Sequence, residues 1–215
     1  MKKIPTLFER LYDEKGKIIG VTENVTPGCE AVLEGKTTPT VKVDGSCCAI
    51  INGGLYLRYD AKPGRMPPKN GIPCQPSPDK ITGHWPHWVP YDPTNPAHKW
   101  YGEAYKYTCE VMGRQHDATY EAIGPHFNGN MYGLSRDMIV EHGTDDIEDL
   151  DLSFEGIKEY LKNHLIEGIV FWKDGEPLCK IKRRDFGFPW GPGMDEQEKE
   201  NVTVTLDGTE KGGDA

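Results

Sequence analysis

Lys42-Val43-Asp44-Gly45, preceded by Pro39-Thr40-Val41 and followed by the run Cys47-Cys-Ala-Ile-Ile51, sets a lysine amine beside a turn and between apolar strand-like segments. The pattern reads as a nucleophilic lysine on a strand-turn that accepts a nucleotide. A lysine amine attacks an electrophile only when neutral, so a site that uses one must lower its pKa with low polarity or a neighbouring cation. Val41, Val43, Ala49, Ile50 and Ile51 supply apolar surroundings. Asp44 is placed to fix the amine or help hold a metal, and Gly45 leaves room for a phosphate to approach the backbone. Asp-Gly is also a hairpin dipeptide, so a surface β-turn is the alternative reading of the tetrapeptide.

Three later segments give the lysine company. Glu121 lies in Tyr120-Glu-Ala-Ile-Gly-Pro, at the end of an otherwise apolar strand-like run, and Glu167 opens Glu167-Gly-Ile-Val-Phe171. Lys180-Ile181-Lys182 puts two cations on one face of a strand, because alternate residues point the same way. Two ammonium groups so placed repel unless an anion lies between them, and a triphosphate is such an anion. Taken singly, a strand-end glutamate is usually solvated and Lys-x-Lys usually marks an exposed edge strand. Taken together and in this order, a nucleophile, a ribose-binding acid, a metal-linked acid and a phosphate-binding lysine pair are what lysine attack on an α-phosphate requires.

The elements that must position these residues are mostly strands. Segments 40–43, 47–52 and 55–59 alternate around Asn52-Gly53-Gly54, a hairpin signal. Segments 105–111, 118–123, 168–172 and 178–182 read as further strands, with Asp174-Gly175 as a second hairpin turn. The clearest helix spans 153–164: Ser153 can cap it, and Phe154, Ile157, Tyr160 and Leu161 fall on one face. The stretch 63–96, rich in Pro and Gly but holding Trp85, Trp88 and Tyr91, reads as a packed irregular insertion. These elements predict a sheet-dominated α+β domain.

The chain of 215 residues suits one domain over 1–190. Beyond Trp190 the segment 191–215 carries seven acids against two lysines and few large apolar residues, so it is expected to be a disordered acidic tail. The formal charge of −9 is concentrated there and in Asp145, Asp146, Glu148, Asp149 and Asp151. A basic surface around Lys180 to Arg184 therefore remains available for nucleic acid, since a patch and not the total decides phosphate contact. The six cysteines show no CxxC spacing and read as reduced thiols of an intracellular protein. The start Met-Lys-Lys-Ile-Pro has no signal-like apolar stretch, and no run approaches a membrane span, so a cytoplasmic protein that does not engage membranes is expected. His84, His87 and His98 lack a cysteine at ligand spacing and read as packing. Trp85, Trp88, Trp100 and Tyr101 read either as base-stacking platforms or as buried anchors.

Lys42-x-Asp-Gly, Arg58, Tyr120-Glu121-x-Ile-Gly, Glu167-Gly-Ile-Val-Phe and Lys180-x-Lys resemble motifs I, Ia, III, IV and V of the covalent nucleotidyltransferases, which comprise ATP-dependent DNA and RNA ligases and mRNA-capping enzymes. Gly83-His-Trp-Pro-His-Trp-Val-Pro90, Gly124-Pro-His-Phe-Asn-Gly-Asn130 and Arg183-Arg-Asp-Phe-Gly-Phe-Pro-Trp190 resemble the small single-domain RNA ligases of the RNA ligase 1 family. The resemblance covers roughly residues 30–190. It implies a ligase-type adenylyltransferase domain of antiparallel sheets with flanking helices, and no OB-fold domain, since 33 residues follow Lys182. It implies an ATP-dependent RNA ligase in which Lys42 takes AMP from ATP, passes it to an RNA 5′-phosphate, and a 3′-hydroxyl seals the break. By the same resemblance Val41, Asp44, Gly45, Arg58, Glu121, Glu167, Lys180 and Lys182 bind ATP. Glu167 would hold Mg²⁺, with Mn²⁺ as a substitute, and Arg183 and Arg184 would contact RNA. A monomer is the expected state. A capping-type guanylyltransferase and a non-catalytic RNA-end-binding module are the alternatives.

Overall fold

The computed structural model describes residues 1–202. In chain order its elements are β1 (Phe8–Tyr12), β2 (Ile18–Val25), β3 (Thr38–Lys42), β4 (Ser46–Ile51), β5 (Gly54–Ala61), β6 (Ile72–Pro73) and β7 (Trp85–Pro90), then α1 (Lys99–Met112), β8 (Ala118–Ile123) and β9 (Met138–Glu141). The helix α2 (Phe154–Asn163), β10 (Gly168–Lys173), β11 (Glu176–Lys182) and the short α3 (Glu196–Glu200) complete the described chain. The strands form three antiparallel sheets: the β1-β2 hairpin, a three-stranded sheet in the order β11-β10-β3, and a six-stranded sheet in the order β6-β7-β5-β4-β8-β9. The α+β architecture on antiparallel sheets follows the sequence expectation.

Period-two alternation explains the three-stranded sheet. Ile169, Phe171, Cys179 and Ile181 point to one side, where they are fully buried with Leu7, Phe8 and the apolar face of α2. The two turns that fold these sheets are built from residues that accept a left-handed backbone: Asn52 and Gly53 between β4 and β5, Asp174 and Gly175 between β10 and β11. The free side of β3 is covered by the acidic segment, since the Val41 N–H donates to the Asp145 carbonyl and the Ile147 N–H to the Pro39 carbonyl. On the other side, residues 5–7 pair along β11 through the Lys180 backbone.

Ser153 caps α2 by accepting from the Gly156 N–H at 3.0 Å. A cap of this kind contributes about 1 kcal/mol, whereas each fully buried Leu or Ile contributes about 1.5–3 kcal/mol, so Ile157 and Leu161 hold the helix and Ser153 sets where it starts.

The segment 105–111, read from sequence as a strand, lies within α1. Its Tyr, Thr and Val residues favour strands, but that preference depends on context and helical spacing prevails. Trp100, Tyr101, Ala104 and Tyr105 pack into the second core cluster with Leu55, Tyr120 and Ile139. Thr108 fixes the contact by donating to the Ala104 carbonyl and accepting from the Ile139 N–H, both at 2.9 Å. The insertion 63–96 contains β7, paired to β5 with His87 and Trp88 buried, so its aromatics pack.

The segment assigned from sequence to a structureless tail departs from that reading over 191–202. A 3-10 turn at Gly191–Gly193 and α3 bring Met194 and Val202 into a small core with Met131 and Trp190. These apolar residues are sparse but spaced to land on one patch. Residues 203–215 of that predicted tail lie outside the described residues.

Candidate active site

Lys42 is the last residue of β3, and the loop Val43–Gly45 carries the chain directly from the three-stranded to the six-stranded sheet. Gly45 is required by packing: a Cβ there would run into the Ala122 carbonyl of β8. Gly45 also lines the cavity described below, beside Lys42. Gly168 is constrained likewise against the Ile181 carbonyl, at the centre of a row in which Lys42, Gly168 and Lys182 are cross-strand neighbours. Thr40, Val170 and Lys180 form the next row on the same face. One face of this small sheet is thus apolar core and the other carries three lysines.

Glu167 stands immediately before β10 and is 2% exposed. Its Oε2 accepts from Lys42 Nζ at 2.6 Å, and its Oε1 accepts from Lys182 Nζ. Burial alone would disfavour the Lys42 charge, but the carboxylates of Glu167, Glu121 and Asp44 outweigh it and hold the ammonium above the ordinary lysine value. Burial likewise opposes the Glu167 charge, and Lys42 and Lys182 outweigh it, leaving this carboxyl below its usual range. The sequence expectation of a lysine with a lowered pKa does not describe this resting state: in it Lys42 is an ammonium. The lowered amine is Lys180, brought down to about 8 by burial and by Lys182 and Lys42.

A cavity of about 300 Å³ opens beside these groups. Thr40, Lys42 and Lys180 line it from the three-stranded sheet, and Cys47, Arg58 and Glu121 from the six-stranded one. Val41 contributes to the wall while its side chain packs in the first core. Arg58 Nε donates to the Met1 carbonyl at 3.4 Å. Asp44 faces the other way: its Oδ2 accepts from Trp190 Nε1 at 2.8 Å, its Oδ1 from Asn128 Nδ2 at 2.9 Å, and its N–H donates to Tyr132 Oη at 2.6 Å. It holds the loop after the lysine in place.

The structure separates the two arginines. Arg183, read from sequence as an RNA contact, is 3% exposed, and its guanidinium donates to the carbonyls of Pro189, Leu161 and His164. It ties the end of α2 to the chain after β11. Arg184 is exposed. Sequence reasoning missed His142, whose Nε2 lies 2.8 Å from Glu121 Oε2 and whose Nδ1 lies 3.0 Å from Thr119 Oγ1. Glu141-His-Gly carries no motif, and only the pairing of β8 with β9 brings it to the cavity.

No helix among the described residues is long and apolar enough to cross a membrane. No model of a known protein family matches the chain. Curated proteins do match: RNA ligase 1 of Danio rerio is 27% identical over 88% of this chain and 82% of its own length, and that of Pongo abelii is 27% identical over 71% and 68%. RNA ligase 1 of Rattus norvegicus is 28% identical over 70% of this chain and 67% of its own. The chain is thus similar to RNA ligase 1 proteins over two thirds or more of its length, which supports a relationship to that family.

Proposed function

We propose that the chain is an ATP-dependent RNA ligase that adenylylates itself on Lys42, transfers AMP to an RNA 5′-phosphate and joins it to a 3′-hydroxyl. The observation that carries the proposal is the ion-paired group Lys42, Glu167, Lys182, whose Lys42 lines, with Lys180, a cavity also lined by Glu121 and Arg58. The names of the similar proteins support RNA as the class of substrate.

In the first step Lys42 Nζ attacks the α-phosphorus of ATP, a nitrogen–phosphorus bond forms, and the bond to the bridging oxygen breaks to release pyrophosphate. Lys42 must first shed a proton, and Glu167 Oε2 at 2.6 Å is the acceptor within reach. At rest that transfer is unfavourable, because Lys182 also stabilises the Glu167 charge. A triphosphate drawing Lys182 and Lys180 to its own oxygens removes that stabilisation and lets the proton move. Nucleotide arrival thus converts an ion pair into a nucleophile. Once it has passed that proton to solvent, the Glu167 carboxylate would be the hard oxygen donor to hold a magnesium or manganese ion, which would screen phosphate charge and favour the neutral amine. Lys180 and Lys182 neutralise the charge that builds on the α-phosphate and the leaving pyrophosphate. Glu121 accepts from a ribose hydroxyl, and Arg58 faces the ribose or the RNA-side phosphate.

In the second step an oxygen of the RNA 5′-phosphate attacks the phosphorus of lysyl-AMP, which breaks the nitrogen–phosphorus bond and returns the amine. In the third a 3′-hydroxyl attacks the activated 5′-phosphate and AMP leaves. Exposed Arg184, two residues past β11, contacts RNA phosphates in this reading.

The test is intact-mass analysis of the protein, freed of any AMP it already carries, after incubation with Mg²⁺ and ATP, GTP or dATP, beside Lys42→Ala. An AMP adduct on the parent and none on the variant is expected, followed by sealing of a 5′-phosphate to a 3′-hydroxyl. A GMP adduct would transfer the assignment to capping-type chemistry. No adduct with any nucleotide would leave an RNA-end-binding module.

A further inference from the structure

We propose that Cys47, Glu121 and His142 form a second metal site, selective for a thiophilic divalent cation such as Zn²⁺, whose occupation switches nucleotide capture off. One donor atom from each of the three lies within 4.8 Å of the other two. They come from three places that the six-stranded sheet holds in register: Cys47 on β4 is the direct cross-strand partner of Glu121 on β8, and His142 follows β9, its N–H bonded to the Thr119 carbonyl at 3.0 Å. The backbone therefore presents the three donors together.

The chemistry of the set distinguishes it from Glu167. Zinc takes thiolate, imidazole and carboxylate ligands at about 2.0–2.3 Å, which puts tetrahedral donors about 3.3–3.6 Å apart. The present Glu121 Oε2 to His142 Nε2 separation of 2.8 Å has to open slightly, and the Cys47 sulfur has to close in, both within side-chain rotation. Thr119 Oγ1, 3.0 Å from His142 Nδ1, can accept the Nδ1 proton and so leave the Nε2 lone pair free, the support a metal-bound imidazole needs. Cys47 is a neutral thiol at rest, and on binding its proton passes to solvent as the sulfur–metal bond forms. Magnesium, which demands oxygen ligands, is not a competitor for this set.

Three protein ligands leave a fourth position open toward the cavity that Cys47, Glu121 and His142 all line. The consequence for activity rests on the ligase reading: an ion that takes the Glu121 carboxylate removes the acceptor proposed for ribose and narrows the cavity. Metal and nucleotide then exclude one another.

The test has two arms. Co²⁺ is added to the purified full chain and its absorption recorded, then Zn²⁺ is titrated in, with Cys47→Ser, His142→Asn and the control Cys109→Ser beside the parent. One cobalt per chain with a thiolate charge-transfer band is expected. That band should disappear in Cys47→Ser, weaken about 10-fold or more in apparent affinity in His142→Asn, and persist in Cys109→Ser. Absence of the band from the parent, or its survival in Cys47→Ser, overturns the site, and these readings need no catalysis. In the second arm Lys42 adenylylation is measured for each protein with and without Zn²⁺ at saturating Mg²⁺ and normalised to its own zinc-free rate. Inhibition of the parent that rising ATP relieves, and that Cys47→Ser escapes, is expected. Zinc binding with an unchanged adenylylation rate overturns the switch, whereas a parent that never adenylylates refutes the ligase reading and leaves the metal site to the cobalt spectrum.

Discussion

Glu167→Gln keeps the shape of the side chain and removes the one charge shared by Lys42 and Lys182. Deleting one member of a buried ion pair leaves its partner uncompensated and costs about 3–5 kcal/mol. Here two ammonium groups lose the same partner, and both are largely shielded from solvent, with side-chain exposures of 19% and 20%. For a domain of this size each kcal/mol is worth about 2–4 °C, so Tm should fall by roughly 6–20 °C. The sign of the pH dependence follows from both partners. The folded pKa of Glu167 is depressed, so its contribution is present above the ordinary carboxylate value of about 4.3 and is lost as pH falls through the folded value. The folded pKa of Lys42 is raised, so its contribution is complete below about 10.4 and is lost as pH rises through the folded value. The stability difference between parent and variant should therefore form a plateau between about pH 5 and 10 and shrink at both ends. Urea unfolding of the two proteins across this range measures it. A difference below about 1 kcal/mol at pH 7, or one that stays constant from pH 3 to 11, refutes the reasoning, because it means that solvent screens the pair.

Lys180→Met should have opposite effects on stability and activity. It removes an amine depressed to about 8, whose penalty is in force below that pH and gone by about 10.4, so the variant should be about 1–3 kcal/mol more stable at pH 7, converging with the parent in alkali. Its adenylylation rate should drop about 10²–10³-fold; unfolding curves and intact-mass kinetics check the two halves. Arg183→Met should cost about 2–4 kcal/mol in thermal unfolding, since three carbonyls lose their donor, while Arg184→Ala should stay within about 0.5 kcal/mol and instead weaken RNA binding in a salt-dependent way. Equal stability costs for the two arginines would contradict the burial of Arg183. Trp190→Phe, which keeps the ring packing but removes the N–H bonded to Asp44, should cost about 1.5–3 kcal/mol and slow Lys42 adenylylation. An unchanged rate would show that Asp44 holds its loop without help from Trp190.

The hairpins β4-β5 and β10-β11 were legible because their sequences alternate around Asn52-Gly53 and Asp174-Gly175. The start of α2 was legible because Ser153 precedes a run with helical spacing. What escaped notice depends on contacts across long stretches of chain. Lys42 and Glu167 are 125 residues apart, so the ammonium state of the lysine could not be read from its apolar neighbours alone. Arg183 belongs to a basic run on paper, yet two of its three acceptors are carbonyls at the end of a helix some 20 residues upstream. The segment 105–111 has strand-favouring residue types, and its packing against β5, β8 and β9 goes with the helix that forms instead. Cys47 looked like one more core thiol until β8 paired with β4 and set Glu121 opposite it.

The rows Lys42-Gly168-Lys182 and Thr40-Val170-Lys180 have a consequence for the kinds of sequence change this chain can survive. In a strand every residue faces opposite to its neighbours, so inserting or deleting a single residue within β3 or β11 would turn their lysines inward and their core residues outward at once, and within β10 would expose Ile169 and Phe171. Such a lesion destroys folding and chemistry together, and a two-residue change restores facing but displaces each charge by one full repeat. Point substitutions can tune this sheet, but length changes are confined to its turns, at Asp174-Gly175 and in the segments leading into β3 and β10. Among divergent relatives, these strands should therefore be free of gaps even where identity is low.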